Sequence, residues 1–325
     1  MFQDLFRIPL PFKLFGSNEI VIHGFGLMLV IGFLSAMWLA KFLARRSKID
    51  PELFANAALL ALFAGVIGAR LSHVLENFSE FAAHPWEAFN IGSGGLTYYG
   101  GFILAVPVLI GYALWKRVPL RLGMDIVAPC LMVGLAFGRI GCFLNGCCYG
   151  AECNLPWAVQ FPYDSFAYQD QFRAHQITPP AALTGIADNG RTVLRPKDQL
   201  TAEEKPLAAA ERSRPVHPAQ LYSSFTAFLL AALLVAYFTI PHTPGRVFAL
   251  MMILEGIARY VLELVRVEPA VMYVGPYGMS LSMVLGLIIS AAGIGLWFFF
   301  GALGGRTEAS ESTTQGASSA SLATA

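Results

Sequence analysis

Seven apolar segments, each close to twenty residues long, decide what this chain can fold into. They extend over residues 19–43, 53–78, 97–115, 123–144, 218–240, 247–265 and 279–303. A helix of about 20 apolar residues crosses the hydrocarbon core of a bilayer, which is about 30 Å thick. Only 13% of the residues are charged, whereas soluble domains have about 25%. The sequence therefore predicts an all-α polytopic membrane protein with about seven transmembrane helices.

Basic residues are unevenly divided between the connections of these segments, and their division predicts the orientation. The first, third and fifth connections with their flanks, and the C-terminal tail, carry nine of them: Lys41, Arg45, Arg46, Lys48, Lys116, Arg117, Arg121, Arg246 and Arg306. The opposite short connections and the N-terminal segment carry only Arg7, Lys13 and Arg266. Because cytoplasmic loops are enriched in Lys and Arg, we expect the N-terminus outside and the C-terminus in the cytoplasm.

The domain organisation follows from the same pattern. Residues 1–18 form an outer N-terminal segment, and residues 19–144 and 218–303 contain the first four and the last three transmembrane helices. Residues 145–217 are polar and rich in proline, which predicts an extracytoplasmic head domain whose middle, residues 185–214, is a mobile surface insertion. Residues 304–325 have no apolar periodicity, so we expect a disordered cytoplasmic tail.

Several ionisable residues lie within apolar segments, where burying a charge costs several kcal/mol and indicates function. Arg70 is in the second segment and Arg139 in the fourth. Glu255, Arg259 and Glu263 are spaced by four in the sixth, so they share one helix face. Ion pairs that hold helices together would explain Glu255 and Arg259. Arg139 has no carboxylate within one helical turn, and an unpaired guanidinium suits a phosphate.

A glycine-rich stretch, IGSGGLTYYGG, precedes and begins the third segment. Its glycines favour close helix packing, but they also allow a loop whose backbone N–H groups meet a phosphate. The adjacent Tyr98 and Tyr99 fit either such a loop or an interfacial aromatic belt. Both interpretations remain open from the sequence.

Four of the five cysteines, Cys142, Cys147, Cys148 and Cys153, fall within twelve residues. Their spacing, C-x4-C-C-x4-C, lacks the paired C-x-x-C of common metal sites, so it predicts no metal. A disulfide is the main expectation in an oxidising compartment, with its pairing undetermined. Apolar packing is the alternative for Cys142 and for Cys130, which lies within a segment.

Five motifs occur in a fixed order along residues 18–303: GARLSHVLE, GGLTYYGG, GRIGCFLNGCCYG, HPAQLY and EGIARYVLELVR. Together they resemble the prolipoprotein diacylglyceryl transferase family. The resemblance implies transfer of the diacylglyceryl group from phosphatidylglycerol to the lipobox cysteine thiol of a prolipoprotein. The products are a thioether and glycerol phosphate. The implied location is the bacterial inner membrane, and the implied partners are phosphatidylglycerol, prolipoprotein lipobox peptides and the lipid bilayer.

The resemblance also implies roles for individual residues. The expected catalytic residues are Tyr99, Arg139, Arg259 and Glu263. The expected phosphatidylglycerol-binding residues are Arg139, Arg259, Asn145, Gly95, Gly100, Gly146, Gly150 and Arg70. The two arginines of the fourth and sixth segments are expected to bind the headgroup phosphate. Tyr99 is the first candidate for the base that deprotonates the thiol, and Glu263 and His73 are alternatives. No cofactor is expected.

The chain departs from the pattern of the resembled family at several polar positions. Tyr99 stands where the family often has histidine, Cys142 where it has asparagine, and Cys147 where it has an acidic residue. Phe25 and Ser223 replace a tyrosine and a glutamate. With these changes, the chain either catalyses the same reaction as the resembled family or has lost or changed that activity.

Two other classes of function compete with the transferase. A lipid transporter or flippase would use the buried charges as a substrate path. An envelope thiol oxidoreductase would use the cluster between Cys142 and Cys153. Nucleic acid is not an expected partner, because no basic stripe with interleaved aromatic residues is present.

Overall fold

A computed structural model of the chain describes residues 4–14, 17–83, 85–89, 97–186, 190–266, 270–274 and 277–304. Its α-helices, in chain order, are α1 (Gly24–Arg46), α2 (Pro51–Glu76), α3 (Phe78–Ala83), α4 (Tyr98–Trp115), α5 (Leu120–Asn145), α6 (Phe166–Arg173), α7 (Glu204–Ala210), α8 (Ala219–Phe238), α9 (Arg246–Glu263) and α10 (Leu281–Leu303). All seven predicted segments are helical, and they correspond to α1, α2, α4, α5, α8, α9 and α10.

The described strands form three short antiparallel pairs. Strand β1 (Asp4–Leu14) pairs with β2 (Ser17–His23), β3 (Thr184–Ile186) with β4 (Thr192–Leu194), and β5 (Ala270–Val274) with β6 (Tyr277–Ser280). The first apolar segment was expected to be helical from residue 19, but residues 17–23 belong to β2 and the helix begins at Gly24. The β-branched run of Ile20, Val21 and Ile22 favours an extended backbone.

Apolar side chains cover the outside of the long helices. Five of them, α1, α2, α5, α8 and α10, are long and apolar enough to cross a membrane, and α4 contains a shorter apolar helix. Helix α9 is as long as α4 but carries four charged residues. Trp38, Phe63 and Phe102 are each more than 60% exposed. Such a surface is unfavourable in water and suits lipid, as expected of a multi-pass membrane protein.

The chain divides into two compact units. The first contains Met1–Leu34, Leu131–Leu233 and Ala249–Gly295. The second contains Ser35–Cys130, Leu234–Phe248 and Leu296–Ala325. Several long helices contribute residues to both units, whereas α2 and α4 belong entirely to the second.

Within the second unit, α2 and α4 pack through glycines. A Cβ atom on Gly68 of α2 would lie 2.5 Å from the carbonyl oxygen of Gly100 on α4. A Cβ atom on Gly101 would lie 2.8 Å from the carbonyl oxygen of Gly65. Neither distance is sterically allowed, so the two backbones approach closely only because these side chains are absent. This contact supports the packing interpretation for the glycines at the start of α4.

Helix α9 begins at a buried carboxylate that belongs to another helix of the second unit. Asp125 of α5 is fully buried, and its side chain accepts hydrogen bonds from the backbone N–H groups of Gly245 at 2.6 Å and Phe248 at 2.9 Å. A helix N-terminus has unsatisfied N–H groups and a partial positive charge. The Asp125 carboxylate accepts hydrogen bonds from two of these N–H groups and places a negative charge at the positive end of the helix. It therefore determines where α9 starts.

The head domain of the first unit has its own apolar core. Tyr163, Tyr168 and Leu183 are fully buried, and Leu200 and Ala208 pack with them. The middle of this domain was expected to be a mobile insertion, but its described residues include β4, α7 and an ion pair of 2.6 Å between Arg195 and Glu204. The apolar residues that anchor the middle of the head domain are irregularly spaced. They therefore produce no periodic pattern from which its helices and strands could be predicted.

Candidate active site

Three of the five motifs, distant in sequence, meet through backbone hydrogen bonds in the first unit. Gly150, at the end of GRIGCFLNGCCYG, donates its N–H to the carbonyl of His217 at 2.9 Å. The N–H of His217 donates to the carbonyl of Ala151, also at 2.9 Å. The N–H of Ala151 donates to the carbonyl of Val265 at 2.8 Å. The loop after α5, the HPAQLY motif and the segment after α9 therefore form one continuous support.

The predicted glycines of this loop are required by its geometry. A Cβ atom on Gly150 would lie 2.7 Å from the Cβ of His217 and 2.7 Å from the carbonyl oxygen of Val265. Gly146 has φ of +75°, a left-handed conformation that glycine adopts without strain. Both residues shape the loop that follows α5. Their predicted contact with phosphatidylglycerol stays a prediction.

The positive charges of two arginines, Arg139 of α5 and Arg259 of α9, influence the same carboxylate. The charges of both act on Glu255, which lies one helical turn before Arg259. Within the described part of the chain, neither guanidinium makes a hydrogen bond or a close ion pair with another side chain or with the backbone. A guanidinium has five N–H donors, so these two arginines retain donors for an external anion.

Glu263, the predicted catalytic carboxylate, is buried and interacts with a different arginine. Its Oε2 accepts a hydrogen bond from Nη1 of Arg266 at 3.3 Å. Arg266 was noted in the sequence only as a loop charge. The EGIARYVLELVR motif thus has two pairs of opposite charges, Glu255 with Arg259 and Glu263 with Arg266.

Three cysteines form a sulfur cluster at the end of α5. The Sγ atoms of Cys142, Cys147 and Cys148 all lie within 4.8 Å of one another. Asn145, the last residue of α5, directs its Nδ2 toward the Sγ of Cys147 at 3.9 Å. All five cysteines are free, so the expected disulfide is not formed in this structure, and Cys153 lies outside the cluster.

Cys148 has an unusual backbone and an unusual acidity. Its φ is +58°, in the left-handed region that non-glycine residues rarely adopt. The pKa of its thiol is lowered, because hydrogen bonds from Cys142 and Cys147 and the positive charges of Arg139 and Arg266 stabilise the thiolate. Burial opposes this effect but does not outweigh it. Cys148 is thus the most acidic thiol of the cluster.

The remaining predicted residues belong to the second unit. Arg70 is buried, and it donates hydrogen bonds to the carbonyls of Ala88 at 2.8 Å and Glu87 at 2.6 Å. It therefore anchors the short 3-10 helix Pro85–Phe89. Tyr99 is 62% exposed in the first turn of α4, and Gly100 lies in the glycine contact with α2. Gly95 lies outside the described residues.

The HPAQLY motif contains polar side chains that had no predicted role. Gln220 is fully buried and donates its Nε2 to the carbonyl of Cys147 at 2.7 Å. Tyr222 accepts a hydrogen bond from Nε1 of Trp157 at 2.7 Å and lies 3.3 Å from Nδ1 of His217. The motif itself was the signal for Gln220 and Tyr222, whereas nothing in the sequence pointed to Trp157.

Comparison with known proteins agrees with the resemblance that the five motifs indicated. A sequence model of the family described as prolipoprotein diacylglyceryl transferase matches residues 12–299. The phosphatidylglycerol–prolipoprotein diacylglyceryl transferase of Clostridium tetani is 28% identical over 261 residues, 80% of this chain and 86% of that protein. The protein of the same name from Corynebacterium diphtheriae is 28% identical over 303 residues, 91% of this chain and 95% of that protein.

A third relative of the same name, from Trichormus variabilis, is 33% identical over 160 residues, 49% of this chain and 56% of that protein. The family match extends from within β1 to within α10, so it includes every long helix and the head domain. The chain therefore belongs to the prolipoprotein diacylglyceryl transferase family of membrane enzymes.

Proposed function

We propose that this chain transfers the diacylglyceryl group of phosphatidylglycerol to the lipobox cysteine thiol of prolipoproteins, and that Arg139 and Arg259 bind the phosphate of the lipid headgroup. The observation that carries the assignment of the two arginines is that the charges of both act on Glu255, while neither guanidinium makes a hydrogen bond to the described protein. The names of the relatives support the identity of the substrates.

The reaction requires a change in charge that two guanidinium groups suit. The sulfur of the acceptor thiolate attacks the sn-3 carbon of the glyceryl group, and a carbon–sulfur bond forms. The bond between that carbon and the phosphate oxygen breaks, and its electron pair leaves with glycerol phosphate. Negative charge therefore grows on the leaving phosphate. Guanidinium donors at that oxygen stabilise the transition state more than the bound lipid.

Removal of the acceptor proton is a separate requirement. Tyr99, Glu263 and His73 remain the proposed bases. Replacing Tyr99 with Phe tests this role, because unchanged turnover would exclude the phenol.

We infer the membrane orientation from the distribution of basic residues. The N-terminus and the head domain lie outside the cytoplasm, so the lipobox peptide reaches the site from the outer interface. The lipid enters laterally from the bilayer, since its acyl chains stay in the hydrocarbon region throughout.

The arginine assignment is tested with Arg139→Gln and Arg259→Gln. In membranes supplied with labelled phosphatidylglycerol and a lipobox peptide, each variant should lose about 100-fold or more of thioether formation, the effect of removing one strong donor from a reacting oxyanion. Arg173→Gln is the matched control, because Arg173 is an exposed head-domain residue paired with Asp170. Normal thioether formation by membrane-inserted Arg139→Gln would contradict the assignment.

A further inference from the structure

We propose that Cys142, Cys147 and Cys148 bind a zinc ion through three thiolates and leave a fourth coordination position for the thiol of the acceptor cysteine. Binding of zinc by the three cysteines concerns the protein alone. Binding of the acceptor thiol at the fourth position rests on the proposed transferase function, and there zinc would activate the acceptor.

The sulfur positions suit a tetrahedral zinc ion. Zinc binds cysteine at about 2.3 Å, which places the sulfurs of a tetrahedral site about 3.8 Å apart. The three Sγ atoms here all lie within 4.8 Å of one another. The sulfurs are partly buried, so the site is accessible to a ligand while part of its surroundings excludes water.

The backbone holds two of the three ligands in place. Cys147 and Cys148 follow Gly146, and both Gly146 and Cys148 adopt left-handed conformations. Fully buried Gln220 donates a hydrogen bond to the carbonyl of Cys147 at 2.7 Å, and the N–H of Cys147 donates to the carbonyl of Cys142 at 3.1 Å. A rare conformation at a non-glycine residue persists only where its surroundings enforce it, and it is typical of functional sites.

The surrounding charges favour this occupant. Three thiolates and one Zn²⁺ have a net charge of −1, and a fourth thiolate changes it to −2. The positive charges of Arg139 and Arg266 both act on Cys148. Because Arg139 also acts on Glu255 and Arg266 also pairs with Glu263, the two guanidinium groups offset part of the charge of the complete four-thiolate site.

The number of ligands leaves a coordination position open. Among the described residues, the cluster contains Cys142, Cys147 and Cys148 and no further histidine, cysteine or carboxylate. Structural zinc sites are closed by four protein ligands, whereas catalytic sites have three and admit a substrate or water. A thiol that coordinates zinc loses its proton. The acceptor proton would pass to solvent, and the bound sulfur would retain the electron pair that attacks the glyceryl carbon.

The location of the cluster brings metal and lipid together. Arg139 and Cys142 are three residues apart on α5, so they lie on the same helix face, about one turn apart. A phosphate bound at Arg139 and a thiolate bound at the metal would be neighbours. Conversion of the acceptor thiolate to a thioether removes its charge, which weakens its bond to zinc and favours release of the product.

Cobalt titration of the full-length, reduced, metal-free protein in detergent tests the metal site. One Co²⁺ should bind per chain, with the sulfur-to-cobalt absorption of a thiolate site, and zinc should displace it. Cys147→Ser should weaken binding by about tenfold or more, since even partners outside the ligand set cause losses of about 10- to 100-fold. Cys153→Ser, outside the cluster, should bind as the wild type does.

Several outcomes would overturn the metal site. They are the absence of one-to-one binding, unchanged binding in the triple serine variant of Cys142, Cys147 and Cys148, or a native disulfide between two of these cysteines. The wild-type stoichiometry needs no variant, so the test does not depend on the folding of any substituted protein.

A lipobox peptide tests the open position. The cysteine peptide should change the cobalt spectrum, whereas the same peptide with serine should not, and equal responses would overturn acceptor binding at the metal. These titrations contain no lipid and require no turnover. If zinc binds but labelled phosphatidylglycerol yields no thioether, the proposed function fails and the metal site stands. Transfer at the wild-type rate by verified metal-free protein would overturn activation of the acceptor by zinc.

Discussion

Individual side chains, or their absence, determine how the motifs of this enzyme are joined. Gly150 is the clearest case, because its N–H donates a hydrogen bond to the HPAQLY motif and a Cβ atom on it would lie 2.7 Å from the carbonyl oxygen of Val265 after α9. Arg139 and Arg259 join two motifs through charge instead of backbone contact. They are 120 positions apart, and the charges of both act on the Glu255 carboxylate. The glycine supports the scaffold, whereas the two arginines are proposed to bind the lipid phosphate.

Gly150→Ala should destabilise the protein by about 1–3 kcal/mol, because the added methyl group overpacks a well-filled contact. The new Cβ would lie 2.7 Å from the carbonyl oxygen of Val265, and a backbone carbonyl cannot move aside as a flexible side chain can. Thermal unfolding in detergent measures the effect. The matched control is Gly134→Ala in α5, where a Cβ meets nothing within 4 Å. Equal unfolding midpoints for the two variants would contradict the prediction.

At the scale of elements, the start of α9 depends on a neighbouring helix. Asp125 of α5 accepts two backbone hydrogen bonds there and lies 3.4 Å from Nε2 of His242. Burial lowers the pKa of His242, but the neighbouring Asp125 carboxylate and the hydrogen bond to the carbonyl of Ile240 outweigh it, so the pKa is raised. The protonated histidine therefore strengthens the junction between α8 and α9.

This raised pKa gives a pH dependence with a definite sign. The stabilisation by His242 is complete below its unfolded pKa of about 6.5, and it is lost as the pH rises through the higher pKa of the folded state. The unfolding midpoint should therefore decrease over this range in the wild type and less so in Asp125→Asn. Asp125→Asn should also cost about 0.5–2 kcal/mol through the weakened cap. Asp170→Asn, at an exposed pair, is the control. A steeper pH dependence in Asp125→Asn would refute this explanation.

At the scale of the whole chain, the sequence alternates long apolar helices with polar connections, and its first unit contains a folded head domain. The exposed lysines provide a test of its orientation, because they occur in the head domain at Lys197 and Lys205 and in the opposite loops at Lys48 and Lys116. The excess of basic residues in the latter set of loops predicts that those loops are cytoplasmic.

A membrane-impermeant amine reagent should modify Lys197 and Lys205 in intact spheroplasts. It should reach Lys48 and Lys116 only after the membrane is permeabilised, because charged reagents do not cross the hydrocarbon region. Mass spectrometry of the digested protein distinguishes the four sites. Modification of Lys48 and Lys116 in intact spheroplasts, with protection of Lys197 and Lys205, would reverse the orientation.

Much of the fold and part of the site could be predicted without coordinates. Each of the seven long helices was predictable, because the length of an apolar segment is a local property and the bilayer thickness imposes a minimum. The family was recognisable from five ordered motifs. Arg139 could be selected from the lack of a carboxylate within one turn of its own helix. The strand at Ser17–His23 was missed because a β-branched run can be helical or extended.

The tertiary structure alone decided which of these residues act together. The sequence placed Arg139, Glu255 and Arg259 in apolar segments, but only packing let the charges of both arginines act on one carboxylate. The spacing of the cysteines predicted no metal site, yet a left-handed residue and a hydrogen bond from Gln220 gather three sulfurs within 4.8 Å. Helical periodicity and hydropathy describe neighbours along one segment. Contacts between segments up to about 120 residues apart depend on how their surfaces fit, which no local pattern encodes.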